Sequence, residues 1–231
     1  MARPAPGTLH GPIGSIVLRK LGCVDYETVW NAMRAFNGAR TTDTDDEIWL
    51  VEHEPVYTLG LNCKNEKIVG PNSIPVINTD RGGQITYHGP GQVIAYVLVD
   101  LKRRSMGVKQ LVGAMEQSVI DLLAEYAIDA MRREDAPGVY VNGAKIAALG
   151  LRVKQGRSYH GLALNVQMDL SPFSRIDPCG YPGLATTQLN DLGVSLDVSA
   201  AGERLVNHLV ATLGYNGARL DQNQPEALAH A

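Results

Sequence analysis

A glycine-rich polar stretch followed directly by an apolar one constrains this chain more than any other feature. Residues 81–92 read Arg-Gly-Gly-Gln-Ile-Thr-Tyr-His-Gly-Pro-Gly-Gln, with four glycines in twelve residues. Glycine loses more backbone entropy on folding than any other residue, so such a stretch is typical of unusual dihedrals or of close approach to a ligand. Residues 93–99 are almost continuously apolar and predict a buried strand. A polar loop on a buried strand predicts a binding surface, although an elaborate hairpin without a ligand would have the same composition.

The bulk composition excludes several classes of protein. The chain has 231 residues, of which 45% are hydrophobic and 19% charged, and its net charge is −3. This balance indicates no nucleic acid and no anionic membrane as a partner. Residues 1–14 are rich in proline and glycine and lack the apolar core of a secretory signal, and no apolar run approaches the roughly 20 residues that span a bilayer. We therefore expect a cytoplasmic protein.

The hydrophobic pattern predicts strands and helices in alternation, followed by a β-meander. Asp25 is a good N-cap for a helix over 26–39, and apolar residues at helical spacing predict two more helices, over 108–126 and about 200–213. Residues 137–166 predict a three-stranded antiparallel meander, in which Asn142-Gly143 is a strong hairpin signal.

These elements predict an α+β fold, a mixed β-sheet with flanking helices. The expected organisation is a flexible arm over residues 1–14, one catalytic domain over 15–215, and a polar, frayed tail over 216–231. A small C-terminal lobe is an open alternative.

The three cysteines, Cys23, Cys63 and Cys179, are odd in number and widely spaced, which argues against disulfides and zinc. The six histidines likewise form no metal motif. Cys23, beside an apolar strand, is most simply a small core residue, and Cys63, in a polar turn, an incidental exposed thiol. Two prolines and two glycines lie close to Cys179 in the sequence and predict a rigid turn. Such a turn suits an exposed thiol better than a core cysteine.

Several polar residues stand out, and each has a structural explanation as well as a functional one. Lys145 lies in a small apolar run, where its amine must reach water or a partner, so a lysine that extends to the surface and a functional lysine are both open. His53 is more simply a hydrogen-bonded structural residue than a catalytic one. The basic turn at 102–104 is read as a solvated surface, with docking of an acidic partner as the weaker alternative.

Four ordered blocks of this sequence resemble the lipoyl(octanoyl) transferases, which are octanoyl-[acyl-carrier-protein]:protein N-octanoyltransferases. The blocks are residues 81–92, 143–147, 159–166 and 178–180, and the likeness covers about 50–189. The resemblance implies the fold of the biotin/lipoate protein ligase catalytic domain. It also implies an enzyme of lipoate synthesis that needs no cofactor and no metal.

Carried over residue by residue, the resemblance makes Cys179 the nucleophile and Lys145 the lysine that favours its thiolate form. Ala148 stands where a serine is expected in many members, and we expect this difference to tune affinity. The segments that match the family's substrate-binding residues are Arg81, Gly82, Gly83, Gln84, Ile85, Thr86, Tyr87 and His88, then Ala148, Leu149 and Gly150, then Gly161, Leu162 and Ala163.

The implied reaction is covalent and has two steps. Octanoyl-acyl carrier protein is the donor, and the acceptors are lysines in lipoyl domains of 2-oxo acid dehydrogenases and in the glycine cleavage H protein. Thiolate attacks a thioester and thiol does not, so a nearby ammonium would assist Cys179, and Lys145 would then act as the base. Backbone amides of the glycine loop are candidates for an oxyanion site, and His88 either orients the loop, assists proton transfer or is purely structural. An apolar slot for the acyl chain is expected beside Leu149, Leu151, Leu162 and Leu164 or their neighbours on the opposite face.

Three alternatives stay open at this point. An ATP-dependent lipoate or biotin ligase of the same fold would need no cysteine nucleophile. A cysteine hydrolase would need a histidine near its cysteine, where this sequence offers a lysine. A binding module for acyl carrier or lipoyl domains would form no covalent adduct. The oligomeric state expected by default is a monomer.

Overall fold

The computed structural model describes residues 14–63, 68–70, 73–134, 136–176, 184–225 and 228. Cys179 and nearly all of the expected N-terminal arm, residues 1–13, lie outside this description. The described residues form a mixed sheet of eight strands, a second sheet of three strands and three α-helices. The α+β prediction, a mixed sheet with flanking helices, is confirmed.

The large sheet has the strand order β11-β1-β2-β6-β10-β9-β8-β7. β1 pairs in parallel with both β2 and β11, and every other pair is antiparallel. The parallel β1–β2 pair is joined by helix α1, which is the kind of crossover connection such a pair requires. The bounds are β1 Ile16–Cys23, α1 Tyr26–Ala39, β2 Glu47–Glu52, β6 Gln92–Leu98, β7 Met131–Arg132, β8 Gly138–Val141, β9 Ala144–Lys154, β10 Arg157–Asn165 and β11 Ala218–Leu220.

Two of the helices begin at aspartate N-caps, and the sequence predicted the one at Asp25. The Asp25 carboxylate accepts a 2.9 Å hydrogen bond from the Thr28 amide at the start of α1, and Asp197 caps α3 (Val198–Leu213) in the same way. Gly214, at a φ of 73°, ends α3 in the left-handed conformation that glycine adopts at low cost. Helix α2 (Val108–Ala124) buries an apolar stripe at helical spacing, formed by Leu111, Met115, Val119 and Leu122.

The meander forms with the predicted turn. Asn142 and Gly143 both have positive φ, 48° and 85°, as a type I′ hairpin turn requires. They join β8 to β9, and a second turn at Gln155 and Gly156 joins β9 to β10. This places β9 beside β10 along almost its whole length.

The two faces of the large sheet carry different cores. Helices α2 and α3 cover one face, where their apolar stripes pack on alternate residues of β6 and β10 such as Val93, Val97 and Leu162. Helix α1 covers part of the other face, through Val29, Ala32 and Met33 against Trp49 and Ile94. The rest of this second face, toward β9, is where the cavity described below lies.

The small sheet has the order β4-β3-β5, with bounds β3 Val56–Leu59, β4 Val76–Asn78 and β5 Ile85–His88. It presents the glycine-rich loop between β4 and β6. The Gly82 amide donates a 2.8 Å hydrogen bond to the Leu151 carbonyl, so the loop is tied directly to β9. A short 3₁₀-helix at Ser171–Arg175 packs against this sheet and completes a third apolar cluster, with Tyr57, Tyr87, Phe173 and Ile176 among its members.

Two predictions about cysteines need revision. Cys23 is exposed, and the core assignment is wrong, because a bulge between Lys20 and Gly22 shifts the register at the end of β1. Its thiol lies 3.5 Å from the Glu54 carboxylate. Cys63 is half-buried and packs against the third cluster, so it is less exposed than a free surface thiol.

The basic turn and the tail also differ from prediction. Arg104 is buried: its guanidinium donates to the Leu213 carbonyl at the end of α3 and lies 4.2 Å from the Tyr215 ring centroid. The tail is not frayed throughout as predicted, because the exposed strand β11 pairs with β1 through backbone groups, which require no apolar side chains. No helix in the described part of the chain is both long and apolar enough to cross a membrane.

Candidate active site

A cavity of about 780 Å³, part of it open to solvent, lies where the glycine-rich loop meets β6, β10 and β9. Tyr26, at the start of α1, borders it on one side, and Phe173 of the 3₁₀-helix on another. The cavity therefore draws its walls from at least six separate parts of the chain.

Nearly all the substrate-binding residues predicted from the sequence border this cavity, and so does Lys145. The exceptions are Gly82, whose amide is bound to β9, and Tyr87, whose ring packs edge-on against Phe173 at 5.5 Å between centroids. The bordering residues are Arg81, Gly83, Gln84, Ile85, Thr86, His88, Ala148, Leu149, Gly150, Gly161, Leu162 and Ala163. Cys179 lies outside the described residues.

Small residues open space along β9 and β10. Gly150 pairs directly with Gly161, and Ala148 with Ala163. The four leucines expected beside a slot all belong to the core under α2 and α3 or pack against it: Leu162 and Leu164 are members, and Leu149 and Leu151 pack against it. Two of them, Leu149 and Leu162, also border the cavity. A Cβ at Gly150 would lie 3.0 Å from the Gly82 carbonyl oxygen and 3.1 Å from Arg81 Cδ, so the loop closes onto this position only because it is glycine.

Lys145 is buried, with 4% of its surface exposed. Its Nζ donates a 3.3 Å hydrogen bond to the Pro137 carbonyl and lies 5.2 Å from the Tyr140 ring centroid. Gly138 makes room for it, because a Cβ there would meet Lys145 Cε at 3.0 Å. The lysine therefore does not extend along the surface, and its amine is held at the cavity wall.

Arg81 organises the loop from within. Its guanidinium is buried and donates to the Thr58 hydroxyl, the Thr58 carbonyl and the Gln84 carbonyl, at 2.6 to 3.1 Å. It also donates to the Gly82 carbonyl at 3.0 Å. Charged donors make stronger bonds than neutral ones, so the glycine-rich loop is fixed in one conformation despite its composition.

Two histidines beside the cavity are held neutral. Burial lowers the pKa of His53 to about 4 and that of His88 to about 3, and the neighbouring His53 adds to the effect on His88. His53 lies 2.6 Å from both the Val24 carbonyl and the Tyr96 hydroxyl, as the structural interpretation of this residue predicts.

A cluster of hydrogen bonds around the Asp80 carboxylate lies beside the cavity, close to His160 of β10 and its cross-strand partner Leu151. Asp80 accepts hydrogen bonds from Trp30 Nε1 at 2.9 Å, from His160 Nε2 at 3.0 Å and from the Tyr159 hydroxyl. Burial alone would raise the pKa of Asp80, but these three donors hold it well below its usual range. Leu151, the cross-strand partner of His160, lies six positions along β9 from Lys145, so this cluster is at the far end of the cavity.

Several cavity residues were not predicted. Gln92 and Asn165 lie within the quoted motif blocks, where a polar residue at the end of an apolar strand is the signal that could have drawn attention to them. His160 stands in the same block, whereas nothing local marks Tyr26 or Thr186. The remaining unpredicted wall residues are Ile94, Tyr96 and Phe173. Across the described ranges, no three His, Cys, Asp or Glu side chains converge in a way that could hold a metal ion.

The fold places the chain in a known structural class. A bipartite lipoate protein ligase of Thermoplasma acidophilum, solved in a study of that ligase and its E2 lipoyl domain, is similar over 94% of this chain and 90% of its own, with a TM-score of 0.76 and 17% identity. Lipoate-protein ligase A bound with ATP is similar over 94% of this chain and 92% of its own, with a TM-score of 0.75 and 16% identity. A biotin protein ligase from Aquifex aeolicus is more distant, with a TM-score of 0.54 and 13% identity over 85% of this chain and 70% of its own. The chain thus has the catalytic-domain fold of lipoate and biotin protein ligases.

Sequence similarity narrows the class. The family described as the lipoyl protein ligase A/B catalytic domain matches residues 25–210. An octanoyltransferase of Aromatoleum aromaticum is 60% identical over 84% of this chain and 84% of its own length, and one of Thiobacillus denitrificans is 59% identical over 86% and 91%. The chain belongs to the lipoyl protein ligase A/B catalytic domain family, and within it to the octanoyltransferases, which are acyltransferases.

Proposed function

We propose that this acyltransferase moves an octanoyl (or lipoyl) group from acyl carrier protein to a specific lysine of lipoyl-dependent enzyme domains, through a thioester on Cys179. The observation that carries the proposal is the position of Lys145, buried in the wall of a cavity that is lined with small residues. The octanoyltransferase names of relatives with 59–60% identity support the acyl group.

The lining of the cavity supports the binding of an acyl chain. Gly150 lies five positions along β9 from Lys145, which is about 16.5 Å of strand at ~3.3 Å per residue. Over this length the cavity is bordered by Ala148 and Ala163 and, from β6, by Ile94. An alkyl chain laid along these residues would bury apolar surface without displacing a charged group, which favours its binding at ~25 cal/mol per Å².

The chain also connects the proposed nucleophile to Lys145. Ala185 follows Cys179 by six residues, and its carbonyl accepts a 2.8 Å hydrogen bond from the Lys145 amide. Thr186, which borders the cavity, pairs with Lys145 in an isolated parallel bridge. Six residues of chain span at most about 20 Å, so the sequence keeps the Cys179 thiol in the neighbourhood of Lys145.

The proposed chemistry needs only one proton carrier. The Cys179 thiolate attacks the donor thioester, its new carbon–sulfur bond replaces the carbon–sulfur bond to pantetheine, and the departing sulfur takes a proton from the Lys145 ammonium. The nitrogen of the acceptor amine then attacks the Cys179 thioester, and Lys145, which is now neutral, accepts a proton from that amine. The carbon–nitrogen bond forms, Cys179 leaves as thiolate, and the enzyme returns to its first state. The proposed acceptors are lipoyl domains of 2-oxo acid dehydrogenases and the glycine cleavage H protein, and the proposed location is the cytoplasm.

Intact-mass spectrometry tests this function. Wild type, Cys179→Ala, Cys23→Ala and Cys63→Ala are each incubated with octanoyl-acyl carrier protein, and a lipoyl domain is then added. We expect an octanoyl-sized mass increase that the lipoyl domain discharges, in all proteins except Cys179→Ala. An unmodified wild type, with Cys179→Ala still modifying the lipoyl domain from ATP and free octanoate, would contradict the proposal and favour the ligase activity of the structural neighbours.

A further inference from the structure

A chain of buried side chains crosses the cavity wall from the glycine-rich loop to Lys145. His88 Nδ1 lies 2.8 Å from Gln92 Oε1, and Gln92 Nε2 donates to Asn165 Oδ1 at 2.9 Å. Asn165 Nδ2 then donates to the Thr187 carbonyl at 2.9 Å, and the Thr187 amide donates to the Lys145 carbonyl at 3.0 Å. His88, Gln92 and Asn165 are each less than a tenth exposed.

The donors and acceptors in this chain can be assigned in only one way. The Thr187 carbonyl can only accept, so Asn165 must turn its amide nitrogen toward Thr187 and its oxygen toward Gln92. Gln92 must then donate to Asn165, which leaves the Gln92 oxygen facing His88. The proton of the neutral imidazole is therefore on His88 Nδ1.

The opposite end of the chain gives the same assignment independently. The Thr58 hydroxyl oxygen accepts from Arg81 Nε at 3.1 Å and from Arg81 Nη2 at 2.8 Å. Its own hydrogen is then free for His88 Nε2, 3.4 Å away, which must carry no proton to accept it. Both ends thus require His88 with hydrogen on Nδ1 and none on Nε2.

Asn165 also holds the segment that follows the proposed nucleophile. Its backbone carbonyl accepts from the Leu189 amide at 3.1 Å, while its side chain holds Thr187. The Gln188 side chain, between these two, accepts from the Met168 amide at 2.6 Å. Residues 185–189 are consequently fixed to Lys145 on β9 and to the end of β10.

We propose that Gln92 and Asn165 are positioning residues for the transfer reaction, which keep the 185–189 segment and Lys145 in register with the Arg81 loop. This role rests on the proposed function, because the segment follows Cys179 in sequence. Neither residue needs to contact the acyl group. Misplacement of reacting groups by about 1 Å can cost about a hundredfold in rate, so a fixed register matters for catalysis.

The test uses substitutions that keep shape and remove one donor. Asn165→Asp can no longer donate to the Thr187 carbonyl, and Gln92→Glu can no longer donate to Asn165. We expect each to lower the rate constant for acylation of Cys179 at saturating octanoyl-acyl carrier protein by roughly tenfold to a hundredfold. The donor concentration that gives half the maximal rate should change little. Ser158→Ala is the control, because Ser158 is buried on the same strand as Asn165 and, among the described residues, its hydroxyl bonds only to Val97 and Val99, which do not border the cavity.

Loss of folding alone must be separated from loss of position. Thermal unfolding of each variant identifies loss of folding. The tautomer of His88 can be measured in the wild type, so that test needs no variant. Nitrogen-15 NMR should show protonated Nδ1 and bare Nε2, the less common form of free histidine. The opposite tautomer would overturn the proposal, and so would folded variants that acylate as fast as Ser158→Ala. A wild type that is never acylated would instead contradict the proposed function.

Discussion

Lys145 and Thr187 are joined by a backbone hydrogen bond of 3.0 Å, which the Thr187 amide donates to the Lys145 carbonyl. On the other side of the same residue, the Lys145 amide donates to the Ala185 carbonyl at 2.8 Å. The backbone of Lys145 is thus held by strand pairing and does not depend on its side chain. Its amine can be altered while the surrounding structure is kept, so the side chain can be tested alone.

We expect Lys145→Met to lower the rate of octanoyl transfer by roughly 10²- to 10⁴-fold, the usual range for loss of a general acid–base group. Lys145→Arg should separate the two steps. The guanidinium keeps a positive charge that favours the Cys179 thiolate, but it cannot accept a proton from the acceptor amine. Acylation of the enzyme should then survive better than transfer to the lipoyl domain.

Intact-mass time courses measure the two steps separately for each Lys145 variant. Lys154→Met serves as the control, since Lys154 is exposed on the same strand. If Lys145→Met transfers the acyl group as fast as this control, Lys145 is not the proton carrier.

The two neutral histidines predict a specific pH dependence of stability. The pKa values of His53 and His88 are lowered on folding, to about 4 and about 3, from an unfolded value near 6.5. Below pH ~6.5 the unfolded chain binds protons that the folded chain does not, so stability is complete above this pH and is lost as the pH falls. Each histidine should contribute a slope of up to about 1.4 kcal/mol per pH unit.

Urea unfolding at pH 7, 6 and 5 tests this dependence. Asp80 has its pKa lowered on folding, so its contribution is lost only near and below pH ~4 and does not enter this range. His53→Gln removes one titrating group and should reduce the slope. Equal slopes for His53→Gln and wild type would show that His53 is not held neutral.

Local signals in the sequence accounted for most of the elements and for the glycine-rich loop, whereas the binding segments at 148–150 and 161–163 came from the family resemblance. Asp25 caps its helix where predicted, and Asn142-Gly143 forms its hairpin, because caps and turns depend on neighbours in sequence. Most of the predicted binding residues border one cavity because the sheet brings their segments together.

The features that the sequence did not predict depend on distant partners. Arg104 looks like part of a solvated basic turn until Leu213 and Tyr215 are placed over it, 109 and 111 residues away. Cys23 is exposed because of a bulge that apolar periodicity does not reveal. The link from Gln92 to Asn165 spans 73 residues and follows only from the pairing of β6 with β10.

The adjacent arginines of this turn should differ in their effect on stability. Arg104 is buried over Tyr215 and donates to the last carbonyl of α3, whereas the side chain of Arg103 is 35% exposed. We expect Arg104→Ala to lower the free energy of unfolding by about 2–4 kcal/mol, through lost packing and an unpaired carbonyl. Arg103→Ala should cost about 1 kcal/mol or less, since partly exposed ion pairs contribute little.

Chemical denaturation of both arginine variants provides the comparison, with octanoyl transfer measured below the unfolding midpoint. Transfer should be unchanged in both, because neither residue borders the cavity. A larger loss of stability for Arg103→Ala would contradict the burial argument.

Ala148 offers the most direct test of where the acyl chain lies. It borders the cavity on β9, opposite Ala163, at the position where many relatives are expected to have serine. Ala148→Leu would place three more carbons in the proposed path of the chain. Because one methylene is worth about 10- to 200-fold in discrimination within an apolar pocket, we expect a loss of at least tenfold in kcat/KM for the octanoyl donor. A butanoyl donor should lose much less, so the preference should shift toward shorter chains.

Ala148→Ser is the matched control for this substitution, since it adds a single oxygen at the same position. We expect it to change KM for the octanoyl donor by less than about tenfold, in keeping with one added hydrogen-bonding group of ~1 kcal/mol. Competition between octanoyl and butanoyl donors, read by the mass of the acylated enzyme, measures the preference in one experiment. If Ala148→Leu slows both donors equally, the chain does not pass Ala148, and the cavity wall between β9 and β10 serves another part of the substrate.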